Sequence, residues 1–176
     1  MTKIIFESHN TSLDNEAKLA SGWNDVSLSN LGIQQSKELY ERNKDKNISC
    51  VYCSDLQRSY NSAKYFKENG YKIIKDKRLR ECDYGDLTQQ PTSVVNPDKI
   101  HRISKPFPNG ESFKDCAIRM GSFLNSLKEK HSDNETILII GHRATQYGLN
   151  HHILGESLEK CITDKWSWQP GWEYKL

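Results

Sequence analysis

Two imidazoles and two guanidiniums stand at comparable points along this chain. His9 follows the run Ile4-Ile5-Phe6-Glu7-Ser8, Arg58 closes Ser54-Asp55-Leu56-Gln57-Arg58, and His142-Arg143 follow Ile137-Leu138-Ile139-Ile140-Gly141. If the apolar runs are neighbouring strands, these side chains converge beyond the carboxyl edge of one sheet, where open α/β sheets bind their ligands. Arginine offers a planar fork that stays charged and grips phosphoryl oxygens bidentately, and it serves a carboxylate as well. The expected ligand is therefore a small phosphorylated molecule, with a carboxylate substrate as the alternative. A metal is not expected: two histidines without a carboxylate at helical or hairpin spacing make a poor zinc site, and the arginines would repel the ion. His101, His131, His151 and His152 lack such placement and read as ordinary surface or structural residues.

The elements that must carry these residues follow from periodicity. Short apolar or β-branched runs at 3–7, 48–53, 71–74 and 136–140 read as strands. Helices are expected at 29–43, with Ser29 as N-cap, at 55–69, stopped by Gly70, and at 111–130, begun by Asn109 or Gly110. In the last of these Phe113, Cys116, Ala117, Met120, Phe123, Leu124 and Leu127 form one apolar stripe. Strands alternating with helices indicate an α/β class with a mostly parallel sheet. Residues 88–110 hold four of the five prolines, at 91, 97, 106 and 108, and read as a long surface loop that serves as a substrate flap. Trp166, Trp168, Trp172 and Tyr174 alternate as an antiparallel edge strand would, with the aromatics packing rather than binding ligand.

The 176 residues, 35% of them hydrophobic, are enough for one folded domain spanning 1–176. A net charge of +2 is too small to imply a nucleic-acid partner, and no apolar run approaches the roughly 20 residues of a membrane-spanning helix. The first residues lack the pattern of a secretory signal, so a cytoplasmic address is expected. Five cysteines, an odd number, are then expected to stay reduced. Cys50 and Cys53 are spaced as C-x-x-C, but on a strand they face opposite ways, which suits packing better than chelation.

On these residues the chain resembles the histidine phosphatase superfamily, the phosphoglycerate mutase-like proteins, over essentially its whole length. The ordered set is Ser8-His9-Asn10, where the family has Arg-His-Gly, Asn15, the stretch from Gly22 to Gly32, Ser54-Asp55-Leu56-Gln57-Arg58, Leu79 to Gly85, Asn109-Gly110-Glu111-Ser112, and Gly141-His142. The resemblance implies a three-layer α/β/α fold and no cofactor. It also implies that His9 is a nucleophile accepting a phosphoryl group, that Arg58 and His142 clamp its oxygens, and that Glu81 is the general acid. Ser8, Asn15, Ser21 and Gly22 match substrate-contacting positions, the last two through backbone. Glu111 either orients the active-site loops or favours its helix through the dipole, the preferred reading.

The missing first-motif arginine removes a charge-assisted contact of roughly 1.5–3 kcal/mol, one to two orders of magnitude in rate. Arg143, beside the second histidine, is the expected replacement. The leading expectation is a metal-independent phosphatase acting on a small phosphorylated metabolite, as monomer or homodimer. The alternatives are a phosphoglycerate mutase-type transfer and a non-catalytic anion-binding regulatory domain of the same fold.

Overall fold

Strands β1 (Lys3–Ser8) and β4 (Thr136–Gly141) are apolar at successive positions because both faces of the sheet are covered. Ile4, Ile5 and Phe6, like Ile137 through Ile140, have no solvent exposure. The two strands pair in parallel from Lys3 against Thr136 to Ser8 against Gly141. That register decides the site, because His9 and His142 are the next residue on each strand. The computed structural model describes residues 1–176, with strand order β3-β2-β4-β1-β5, where β2 is Ile48–Cys53, β3 Ile73–Lys75 and β5 Trp172–Lys175. All neighbours are parallel except β5, which runs antiparallel to β1.

Helices cover the sheet on both faces. Between the strands lie α1 (Leu13–Ala17), α2 (Asn30–Glu41), α3 (Gln57–Ser62), α4 (Lys64–Glu68), α5 (Thr92–Asp98), α6 (Phe113–Lys130), α7 (Arg143–Leu154) and α8 (Leu158–Thr163). One apolar cluster joins Ile4, Phe6, Tyr52 and Ile139 to Met120, Phe123, Leu124 and Leu127 of α6 and Leu149 of α7. The other face joins Ile5, Val51, Leu138 and Ile140 to Leu39 of α2 and Phe66 of α4. Three layers result, as the resemblance implied. Cys50 packs on the first face and Cys53 on the second, and burial pushes the Cys53 thiol up to about 12.

Several boundaries differ from expectation. Strand β3 begins at Ile73 rather than residue 71. Ser29 caps α2 by accepting from the Gly32 amide, as expected, but the helix expected at 55–69 breaks at Ala63 into α3 and α4. Helix α6 starts after Ser112, not Asn109 or Gly110, because Ser112 and Asp115 form a reciprocal capping box.

The 88–110 segment is not a loop. Pro91 precedes α5, Pro97 sits in its last turn, a 3-10 turn follows at Lys99–Arg102, and Val95 and Phe107 are buried. The prolines mark helix limits and flank a core plug, with Phe107 packed against Tyr84 and Phe113. This cover is tied down where two backbones cross. A Cβ on Gly85, whose φ is +50°, would lie 2.0 Å from the Pro108 carbonyl oxygen, and one on Gly110 would lie 2.3 Å from that of Asp83. Only glycine fits either position. In the tail, β5 holds Trp172 and Tyr174 alone; Trp166 and Trp168 precede it and do not continue the alternation. Gly171, with φ +76°, turns the chain into the strand.

Candidate active site

Beyond the carboxyl ends of β1, β2 and β4 opens a cavity of about 610 Å³. Its lining includes Ser8, His9, Asn15, Ser21, Gly22, Arg58, Glu81, His142 and Arg143, so every site residue expected from sequence borders one space. His101, His131, His151 and His152 are not among the lining residues.

The His9 amide donates to the Gly141 carbonyl at 2.9 Å, extending the β1–β4 ladder by one residue. Its Nδ1 lies 2.7 Å from the Asn10 carbonyl oxygen, which can only accept, so Nδ1 carries the proton and Nε2 keeps a lone pair. Desolvation, and then the Arg58 charge, lower its pKa to about 3, against a small opposing effect of the Asn10 bond. The ring is neutral near pH 7 and nucleophilic at Nε2.

His142 stands at the N-cap of α7, 1% exposed, with its ring centroid 4.9 Å from that of His9. Its Nε2 is 2.7 Å from Ser54 Oγ, which also accepts the Leu56 amide. The other ring nitrogen, Nδ1, is buried and has no partner in the protein. An unpartnered buried ring nitrogen is left to meet a ligand. Burial, followed by Arg58 and His9, holds this imidazole well below its ordinary pKa, so it too is neutral.

Arg58, on α3 and 1% exposed, donates from Nη1 to the Asn24 carbonyl at 2.9 Å and from Nη2 to that of Gly22 at 2.7 Å. Gly22 turns its carbonyl there with φ +48°. Burial draws the guanidinium below its usual pKa, opposed mainly by Glu81, but an arginine remains a cation. The Glu81 carboxylate accepts the amides of Cys82 (2.8 Å) and Ala144 (3.2 Å) on Oε1 and of Arg143 (3.2 Å) on Oε2. It thus faces the N-terminus of α7, whose dipole favours a negative charge.

Glu111 corrects an expectation. It lies before the N-cap of α6, takes the Asp83 amide at 3.0 Å and pairs with Arg119, which also donates to the carbonyls of Arg78, Arg80 and Glu81. Glu111 braces the Glu81 segment rather than stabilising a helix end. Arg119 was not singled out from sequence; its place two turns along the stripe-bearing helix was the available signal. Glu111 also lies near the Cys82 and Cys116 thiols, where a cation would have to displace the Arg119 guanidinium.

Asn10 explains its own presence where the family has glycine: its side chain donates to Ser36 Oγ and its amide to Ser62 Oγ, both at 2.9 Å, pinning the turn to α2 and α3. Asn15 uses Oδ1 to cap α1 through the Ser12 amide. The Arg143 guanidinium lies 4.4 Å from the Trp166 ring centroid.

Sequence reasoning missed Arg42, Lys99, Asn96, Trp166 and Trp168 as cavity residues. Lys99 is brought in by the folded cover, 5.4 Å from the Tyr84 ring, and desolvation lowers its pKa against the pull of Glu81. The two indoles, expected to pack only, border the cavity as well. A neutral imidazole with a free lone pair, a second imidazole with an unpartnered ring nitrogen, a buried guanidinium and an opposed carboxylate can together seat a tetrahedral anion and exchange a proton beside it.

Residues 4–166 match the profile of the histidine phosphatase superfamily (branch 1). A probable phosphoglycerate mutase, GpmB, of Yersinia pestis is 26% identical over 148 residues, covering 79% of this chain and 69% of that protein. Among solved structures, YhfR of Bacillus stearothermophilus superposes with a TM-score of 0.85 at 21% identity, over 97% of this chain and 88% of that one. A mycobacterial glucosyl-3-phosphoglycerate phosphatase in complex with VO3 gives 0.82 at 21% identity, over 91% and 85%.

Proposed function

This chain belongs to the histidine phosphatase superfamily, and from that membership we propose that it hydrolyses small phosphomonoesters through a phosphohistidine intermediate, without a metal ion or other cofactor. The carrying observation is the pairing of a proton-bearing His9 Nδ1, which frees Nε2, with the unpartnered buried Nδ1 of His142. Nε2 of His9 attacks phosphorus as the ester bond breaks. Arg58 and His142 Nδ1–H hold the equatorial oxygens, whose charge they stabilise in the transition state. Glu81 protonates the departing alkoxide, and then, as a carboxylate, takes a proton from the water that attacks the phosphohistidine. Arg143, bordering the same cavity, supplies the charge that Ser8 lacks.

The similar proteins carry phosphatase and mutase names. We favour hydrolysis because similar solved structures carry phosphatase names. A non-catalytic anion-binding domain is the reading that Ser8 supports, but Asn10 leaves the His9 geometry intact by placing its side chain against Ser36. We place the enzyme in the cytoplasm as a monomer or homodimer; no helix is long and apolar enough to cross a membrane.

The test is phosphate release from a panel of phosphomonoesters in the presence of a chelator, with trapping of acid-labile phosphoprotein. The parent is expected to release phosphate to water, and His9→Ala to lose both turnover and label. Labelling retained in His9→Ala excludes the proposed nucleophile, and return of the phosphoryl group to an added acceptor identifies a mutase.

A further inference from the structure

The proposed chemistry uses only the inner end of the cavity. Its outer end is walled by Trp166 and Trp168, from the segment between α8 and β5, and by Arg42, just past α2. Trp166 is held by its neighbours. Its indole N–H donates to Gln146 Oε1 at 2.9 Å, Trp172 stacks on it at 6.1 Å and 29°, and Trp172 in turn leans on Phe6 at 5.7 Å. Trp168 is the opposite case, an indole 57% exposed at the mouth of a polar cavity. Its neighbour Arg42 lies 5.7 Å from the ring centroid. Arg42 is held by two 2.9 Å bonds to Glu7, a carboxylate with no exposure that also accepts from Asn43.

These contacts discriminate between occupants. A second anionic group at this end would need an uncommitted cation here; Lys99 stands at the inner end, beside Tyr84 and under the pull of Glu81, and Arg42 is already neutralised by a buried carboxylate. The guanidinium of Arg143 is stacked 4.4 Å from the Trp166 centroid. What the outer end offers is an exposed indole face beside a flat, immobilised guanidinium, a surface matched to a planar π system. We infer that this end binds the leaving group of an aromatic phosphomonoester, one whose alcohol carries an aryl or nucleobase ring, with Trp168 as the specificity-determining residue. The inference rests on the phosphomonoesterase reading for the reaction, but on the indoles alone for recognition.

Two measurements keep the readings apart. The first is the ratio of kcat/KM for 2-naphthyl phosphate to that for glycerol 3-phosphate. It is expected to fall about 5–20-fold in Trp168→Ala, mainly through KM, and to recover most of the way in Trp168→Phe. An unchanged ratio overturns the proposal, as does an equal loss on glucose 6-phosphate, which would make a pyranose the occupant. The second is calorimetric binding of naphthylmethylphosphonate, which cannot be hydrolysed, against methylphosphonate. Preference for the aryl ligand that is lost in Trp168→Ala supports the aromatic subsite even if no ester is turned over, an outcome that would count against hydrolysis alone. No preference in a protein that does turn over esters sinks the subsite and leaves hydrolysis standing.

Discussion

Asn10 replaces a glycine of the family motif without disturbing the imidazole next to it, because its amide and side chain are absorbed by Ser62 and Ser36. Ser8 has no such compensation, which places the demand for positive charge on Arg143. Arg143→Ala is expected to lower kcat/KM on phosphomonoesters roughly 10–100-fold, the range of one lost charge-assisted contact. Unchanged steady-state kinetics in that variant would remove Arg143 from the reaction. His9 makes a second claim at this scale. With its pKa lowered to about 3 by desolvation and by Arg58, its ring resonances should show no titration between pH 8 and 5 in the ligand-free protein. A midpoint near 6.5 by NMR would contradict the burial that keeps Nε2 unprotonated. The identities of both histidines were legible in the sequence through their position after apolar runs. Their ring contacts were not: the Asn10 carbonyl that fixes the His9 tautomer and the Ser54 hydroxyl beside His142 are placed only by the folded backbone.

Elements position what residues perform. The crossing of Gly85 and Gly110 joins the Glu81 segment to the end of the helical cover, with the Glu111 amide donating to Asp83 and the Asp86 amide to Pro108, both at 2.9 Å. A methyl group at Gly110 must push the Asp83 carbonyl aside. Gly110→Ala should therefore lower both Tm and kcat, whereas Ser112→Ala, which removes only the cap of α6, should cost about 1 kcal/mol in urea denaturation and leave kcat alone. If Gly110→Ala proves as mild on kcat as the cap variant, the crossing does not hold the acid in place. Helix α6 was readable because its stripe repeats over the whole element. The cover was misread as loop because α5 is only seven residues long and is bounded by prolines, so its amphipathicity never accumulates a signal. Lys99 and Asn96 were lost from view with it.

For the molecule as a whole, desolvating two neutral imidazoles, His142 fully buried and His9 partly, couples acidity to folding. Both pKa values lie below the unfolded value near 6.5, so between that value and about 3 the unfolded chain binds more protons than the native one. The contribution to stability is complete above pH 6.5 and is lost as pH falls. Thermal unfolding should accordingly begin at lower temperature at pH 5 than at pH 7, with a shallower dependence in His9→Gln. A flat profile over those two units would mean that the native state accommodates protonated rings. The mostly parallel sheet and the convergence of the motifs at one rim were accessible from the alternation of runs and polar ends. The tail was only partly so: four aromatics at even spacing suggest one strand, yet Gly171 divides them between sheet and cavity. That division has a practical meaning. The stretch 167–171 lies past Trp166, whose ring sits against Arg143, and leads into β5. It can be exchanged as a cassette, retargeting the pocket toward other alcohols while the phosphoryl chemistry beneath it is inherited unchanged.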